Sequence, residues 1–315
     1  MRAIQQSAWG ESEPLRLVEV EAPEPMYGEV LVEVHAAGVN PVDVYTRRGQ
    51  AYNRVLDLPF INGWDVAGTV VRTGYGVTRF RPGDPVFGMP WFPRQAGGYA
   101  EYVAAPARHF ARIPERMGFN EAAALPLAGL TAWQMLTEVA GTAPGERVLV
   151  AGAAGGVGHL AVQIAKARGA YVIGTASAAK HDFVRALGAD EVIDYTTTDV
   201  SAAVRDVDAA IQMFGGEAGL KALDCLRPGG VLVSGQAAWT PGLYERAADL
   251  GVRAVAFLVD PDGAGLDALA GLVARGQLKV HVDATFPLAE AAEAHDHVAG
   301  GRTTGKVVLT VGGPE

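Results

Sequence analysis

The run Val148-Leu149-Val150-Ala151-Gly152-Ala153-Ala154-Gly155-Gly156-Val157-Gly158-His159-Leu160 constrains the fold more than any other segment. An apolar β-type stretch enters a glycine cluster, and a helical pattern leaves it. Gly152, Gly155 and Gly158 stand three apart, a variant of the dinucleotide-binding turn. Glycine there lets the backbone turn tightly and approach a diphosphate with no Cβ in the way. The helix that follows aims free N–H groups and its positive dipole end at the phosphates. A plain glycine turn would look similar, but the strand, helix and second strand around this one favour the nucleotide reading.

Strands and helices alternate on both sides of that turn. Strands are predicted at Val148–Ala151, Tyr171–Thr175, Glu191–Asp194, Ala209–Met213, Val231–Ser234 and Ala254–Val259. Helices are predicted at Val157–Arg168, Ala179–Leu187, Glu217–Leu226 and Leu266–Arg275. Such alternation implies right-handed crossovers and a doubly wound parallel sheet. Upstream the character differs. Val30–Ala36, Asp65–Val71, Val86–Gly88 and Tyr99–Val103 read as short strands broken by glycine and proline, hence a mostly antiparallel β domain. Asn120 reads as the N-cap of a helix that carries the chain out of it. Ala289–Ala299 is helix-like and Lys306–Val311 strand-like, and this tail is assigned back to the β domain. The expected class is α/β, with residues 1–120 plus 280–315 in one discontinuous domain and 121–279 in a Rossmann domain. A chain of 315 residues is long enough for both.

A net charge of −9 argues against a nucleic-acid partner, which needs a basic surface. Cys225 is the sole cysteine, so no internal disulfide forms. No apolar run spans a membrane, and the N-terminus lacks a signal-peptide core. The expectation is a soluble cytoplasmic protein.

The second strand of the alternation selects the cofactor. In NAD-specific folds an acidic side chain closes it and bonds the ribose 2′-hydroxyl. Here the strand runs into Ser177-Ala178-Ala179-Lys180, with no carboxylate before Asp182. A hydroxyl and a cation suit a 2′-phosphate, so NADPH is expected; Lys180 as a solvated helix residue is the plainer reading. Tyr195, after the third strand, could cover the adenosine.

Metal ligands are missing. One cysteine cannot build a four-cysteine zinc lobe, and the seven histidines make no metal-spaced set except His295-Asp296-His297. On a helix those three point different ways. Hydride transfer without a Lewis acid suits acceptors that delocalise the incoming charge, such as quinones and conjugated enones.

Four further stretches carry a resemblance: Val34-His35-Ala36-Ala37-Gly38-Val39-Asn40-Pro41-Val42-Asp43-Val44-Tyr45, Pro59-Phe60-Ile61-Asn62-Gly63-Trp64-Asp65, Gly97-Gly98-Tyr99-Ala100-Glu101-Tyr102 and Thr304-Gly305-Lys306-Val307-Val308-Leu309. With the glycine turn, they resemble the zinc-independent quinone oxidoreductases, the zeta-crystallin-like branch of the medium-chain dehydrogenase/reductase superfamily. Zinc-dependent relatives carry a cysteine at the Asn40 position and Gly-His-Glu at Gly63-Trp64-Asp65. The resemblance implies a GroES-like catalytic domain, a Rossmann domain, NADPH and a homodimer. It places Asn40, Asp43 and Tyr45 at the nicotinamide and substrate pocket and gives Tyr52 a cofactor contact. It assigns Gly155, Gly156, Val157 and Gly158 to the diphosphate, and Gly174, Ser177, Lys180 and Tyr195 to the adenosine and 2′-phosphate. Phe214, Gly215, Ser234, Gly235, Gln236 and Phe257 follow the later strands near the nicotinamide.

Plainer roles stand beside these. Asn40-Pro41 can start a turn, Asp43 can cap a helix, and Tyr45 can be core. Trp91 and Phe92 either line a substrate mouth for a flat ring or form an exposed loop. The expected activity is an NADPH-dependent reduction of quinones or α,β-unsaturated carbonyls. The alternatives are an NADPH-binding sensor with little turnover and a zinc-dependent alcohol dehydrogenase.

Overall fold

The computed structural model describes residues 1–10 and 15–312. The chain divides into two compact units. The first comprises Met1–Leu130, Asp260–Arg275 and Val280–Glu315; the second comprises Thr131–Val259 and Gly276–Lys279.

The second unit holds a six-stranded sheet in which every neighbouring pair is parallel. In space the strands run Glu191–Ile193, Tyr171–Thr175, Arg147–Val150, Val207–Gln212, Leu226–Ser234, Arg253–Ala256. Numbered along the chain this is 3-2-1-4-5-6, the order of a Rossmann sheet. Leu149, Ile173, Ala210 and Leu232 belong to one buried cluster with Leu223 and Leu243 from the helices beside them. Strands this apolar are stable only when covered on both faces. Helix Gly158–Ala167 leaves the glycine turn and buries Leu160, Ala161, Val162, Ile164 and Ala165. Two helices that the apolar pattern did not reveal, Val200–Ala203 and Leu243–Asp249, complete the crossovers. The first has four residues and buries none of them, so it carries no periodic signal.

The first unit is built on a seven-stranded sheet. Strand Glu29–Val39 lies at its centre, paired antiparallel with Asp65–Thr73, Tyr102–Pro106 and Lys306–Thr310. Val282–Pro287 adds a parallel edge beside Lys306–Thr310. The tail thus returns to the β unit. A small sheet of Arg2–Gln6, Arg16–Glu19 and Phe60–Ile61 packs alongside through the bridge Ala3–Ala100.

Two boundaries differ from expectation. The first unit extends to Leu130, beyond residue 120, and it includes helix Gly263–Ala274. That helix packs against strand Phe110–Arg112, and Arg79 pairs with Asp267 at 2.6 Å. Its apolar pattern matched the preceding alternation, but these long-range contacts decide its partner. The exit helix starts earlier than Asn120: Gly118 is the N-cap of Phe119–Ala123, with Glu121 accepting from the Gly118 N–H. A second helix, Pro126–Gln134, then runs into a π-helical turn, Met135–Val139. Among the described residues no helix is long and apolar enough to cross a membrane.

Candidate active site

The glycine turn follows strand Arg147–Val150. Gly152 adopts φ +66, and the Gly155 N–H bonds back to its carbonyl at 2.9 Å. Gly158 begins the helix so close to that carbonyl that a Cβ would lie 2.2 Å from it. This cradle therefore exists only with glycine at 158. The helix's first N–H groups have no carbonyl behind them within the helix. Two side chains that sequence reasoning missed brace the bend. Thr175 Oγ1 accepts from the Gly152 N–H at 3.0 Å. His159 Nδ1 donates to the Gly155 carbonyl at 2.9 Å. His159 lies within the glycine run but is not one of its glycines; Thr175 belongs to no motif, and only the pairing of Tyr171–Thr175 beside Arg147–Val150 makes it visible.

The second unit brings most of the expected cofactor residues to one carboxyl edge. Gly155, Gly156 and Val157 follow the first strand, Ser177 and Lys180 the second, and Tyr195 the third. Phe214 and Gly215, Gly235 and Gln236, and Phe257 follow the fourth, fifth and sixth. Phe214 is half exposed, and its ring lies over Gly152. Ligands bind at this edge of open α/β sheets. Two of the expected cofactor residues lie beneath that edge. Gly174 is buried within its strand, and a Cβ there would meet Ala153 Cβ at 2.8 Å and Val184 at 2.9 Å. Ser234 is fully buried, and its Oγ accepts from the Gln236 N–H at 3.2 Å. Both shape the interior beneath the edge.

In the first unit, strand register assembles a buried polar cluster. Val307 pairs with Val39, and Gly38 with Asp65. Lys306 and Asp65, on the strands that flank Glu29–Val39, therefore meet Asn40, the residue that follows it. Asn40 is 2% exposed and its amide is engaged at both ends. Its Nδ2 donates to Asp65 Oδ2 at 2.8 Å, and its Oδ1 accepts from Lys306 Nζ. Lys306 also donates to the Val39 carbonyl at 3.1 Å and lies 3.6 Å from Asp65 Oδ2. The Leu127 N–H donates to Asp65 Oδ1 at 2.7 Å. Burial raises the Asp65 carboxyl and lowers the Lys306 ammonium, and each charge pulls the other back.

Asn40 also caps helix Pro41–Arg47, and its N–H donates to Asp43 Oδ2 at 2.7 Å. Tyr99 Oη donates to the same oxygen at 3.0 Å, and His295 Nε2 lies 3.3 Å from Tyr99 Oη. Gly63, at φ +90, leaves the space that the Tyr99 ring fills; a Cβ there would sit 2.2 Å from the ring. Burial pushes the Asp43 carboxyl from 3.8 up to about 7. Burial, then the charge of Arg47, pushes His295 from 6.5 down to about 3.

The expected catalytic trio is thus divided. Asn40 and Asp43 are buried and bond to Asp65, Lys306, Tyr99 and one another. Tyr45, two residues beyond Asp43 on the same helix, faces outward at 41% exposure. Tyr52 adopts φ +52 and meets Trp64 and Phe92 edge to face, with centroids 6.0 and 5.3 Å away. Trp64 is buried and donates from Nε1 to the Arg94 carbonyl at 2.7 Å.

A zinc ion does not fit these residues. Trp64 packs as an aromatic, and both Asp65 oxygens are already engaged. Asp296 pairs with Arg47 at 3.2 Å and His297 with Asp283 at 2.8 Å, away from His295. Among the described residues no three His, Cys, Asp or Glu side chains converge as a metal site.

A GroES-type β unit joined to a 3-2-1-4-5-6 sheet with a glycine cradle defines the medium-chain dehydrogenase/reductase class. Residues 26–115 match the alcohol dehydrogenase GroES-like domain family, and residues 187–309 the zinc-binding dehydrogenase family. A chloroplast envelope quinone oxidoreductase homolog from Arabidopsis thaliana is 34% identical, with 98% of each chain covered. The quinone oxidoreductase of Coxiella burnetii superposes with a TM-score of 0.92 at 37% identity, covering 99% of both chains. Escherichia coli quinone oxidoreductase complexed with NADPH gives 0.88 at 29% identity, covering 99% of this chain and 100% of that one. The chain belongs to the quinone oxidoreductase branch of this superfamily.

Proposed function

We propose that the chain is an NADPH-dependent reductase that transfers hydride to quinones or α,β-unsaturated carbonyls without zinc. The observation that carries this reading is the glycine cradle, with Ser177 and Lys180 and no acidic residue at the end of the second strand. NADPH, when bound, supplies the hydride. The N–H groups of Gly156, Val157 and Gly158 hold the diphosphate, and the helix terminus favours its charge. Ser177 and Lys180 hold the 2′-phosphate, and Tyr195 covers the adenosine. Phe214, Gly215, Gly235, Gln236 and Phe257 line the nicotinamide side, and Tyr52 is a further cofactor contact.

The Tyr45 hydroxyl orients the acceptor carbonyl and stabilises its developing charge. Asn40 and Asp43 act as positioning residues, since together they fix the start of the helix that carries Tyr45. A homodimer belongs to the same reading: Arg253–Ala256 ends the parallel sheet and leaves one side open for pairing across a two-fold axis. So does a cytoplasmic location, although the Arabidopsis relative's name places that protein at the chloroplast envelope.

The test mixes purified protein with NADPH and 1,4-benzoquinone or an enone and follows the loss of NADPH absorbance. Turnover that survives a chelator is expected. No turnover of any such acceptor, or turnover only with stoichiometric zinc, overturns the reading. Tight NADPH binding without turnover would instead support the sensor.

A further inference from the structure

The loop Trp91–Arg94 forms one wall of a cavity of about 260 Å³ in the first unit. Trp91, Phe92, Pro93 and Pro261 give it flat apolar walls, with His109, Arg94 and Arg108 completing the lining. Among the described residues no carboxylate lies within ion-pair distance of either guanidinium. The adjacent Asp262 turns both of its oxygens to helix N–H groups, of Ala264 and Gly265, at 2.9 and 2.7 Å.

The wall is held rigidly. Trp91 sits at φ +58, a conformation that costs a non-glycine residue on the order of 1 kcal/mol or more. Three bonds over-determine it. The Trp91 N–H donates to His109 Nδ1 at 3.2 Å, its Nε1 donates to the Ala104 carbonyl at 3.0 Å, and the Arg94 N–H closes the turn on the Trp91 carbonyl at 2.7 Å. Because Nδ1 accepts, the neutral His109 ring carries its proton on Nε2. Burial, then the charge of Arg108, keeps that ring neutral by lowering it to about 4.

We propose that this cavity binds an aromatic carboxylate, its ring between the Trp91, Phe92 and proline walls and its anion on Arg94 and Arg108. A planar guanidinium suits a carboxylate, and the cavity's size suits one or two fused rings. The inference stands apart from the reductase reading, because its test needs neither cofactor nor turnover.

The test is calorimetric titration of the full chain with 2-naphthoate and with the neutral isostere 2-naphthamide. Saturable binding of the acid, about tenfold tighter than the amide and weakened by added salt, is expected. Arg94→Gln and Arg108→Gln should each weaken the acid about fivefold while leaving the amide unchanged. Melting curves that match the parent show that the variants are folded, and either variant alone suffices. Equal affinity for acid and amide, no saturable binding of the acid, or folded variants that bind the acid unchanged overturn the proposal.

Discussion

The glycine turn of the second unit and the buried cluster of the first deal with charge in opposite ways. The turn offers a ligand anion only backbone N–H groups and a helix terminus. It works because three side chains are missing and the turn itself carries no side-chain charge to be neutralised. The cluster brings Asp43, Asp65 and Lys306 into an interior with almost no water, where each charge must be answered by another group. The first arrangement is local and tolerates no added atom. The second is long-range and tolerates no subtracted one.

Removing an atom should have the largest effect. Lys306→Met leaves Asp65 without its ammonium, and loss of about 3–5 kcal/mol of stability is expected in urea unfolding. Lys306→Met combined with Asp65→Asn should recover part of that loss, because the orphaned charge is gone. Additive losses would mean that the two residues do not act as a pair.

Adding an atom comes next. Gly158→Ala places a methyl against the Gly152 carbonyl. NADPH binding, read by fluorescence titration, should weaken about a hundredfold, roughly 2.7 kcal/mol. Unchanged affinity would show that the cradle is not where the diphosphate lies.

A subtler contrast lies within the cluster. Asp43 holds its proton up to about 7 when folded, against 3.8 ordinarily. The folded chain binds more protons between those values, so this group's contribution to stability is lost as pH rises through them. His295 is opposite, at about 3 against 6.5. There the unfolded chain binds more protons, so stability is lost as pH falls. The two slopes oppose one another between about pH 4 and 6.5. Asp43→Asn removes the first slope, so the variant should lose stability on acidification from 6.5 more steeply than the parent, by on the order of a few kcal/mol. Urea midpoints across that range decide it; parallel curves would show that Asp43 does not hold the proton.

The smallest effect belongs to the surface of the second unit. Lys180→Ala should weaken NADPH about tenfold and leave NADH unchanged. Equal weakening of both would remove Lys180 from the 2′-phosphate.

Legibility in the sequence follows the same division. Gly152, Gly155 and Gly158 announce themselves, because the backbone requirement they meet lies within seven consecutive residues. The strand alternation is equally plain, since each apolar run is buried on both faces. Lys306 stands 266 residues from Asn40, and only the antiparallel register of the last strand joins them. Tyr99 and His295 were invisible as partners of Asp43 for that reason. The inward turn of Asn40 and Asp43 was hidden too, because residue type alone cannot tell a helix's buried face from its exposed one. A lysine opening the run Lys306-Val307-Val308-Leu309 was the one available hint, since an ammonium inside a core strand demands a buried acid.

Strand Lys306–Thr310 lies between Val282–Pro287 and Glu29–Val39, so the sheet of the first unit joins residues from opposite ends of the chain. On the ribosome, Thr131–Val259 can emerge and fold while that sheet still lacks an inner strand. Asp65 must therefore wait for Lys306 to be translated before it receives its ammonium. Nascent chains stalled short of Lys306 should hold a protease-resistant nucleotide unit beside a β unit that is still cleavable.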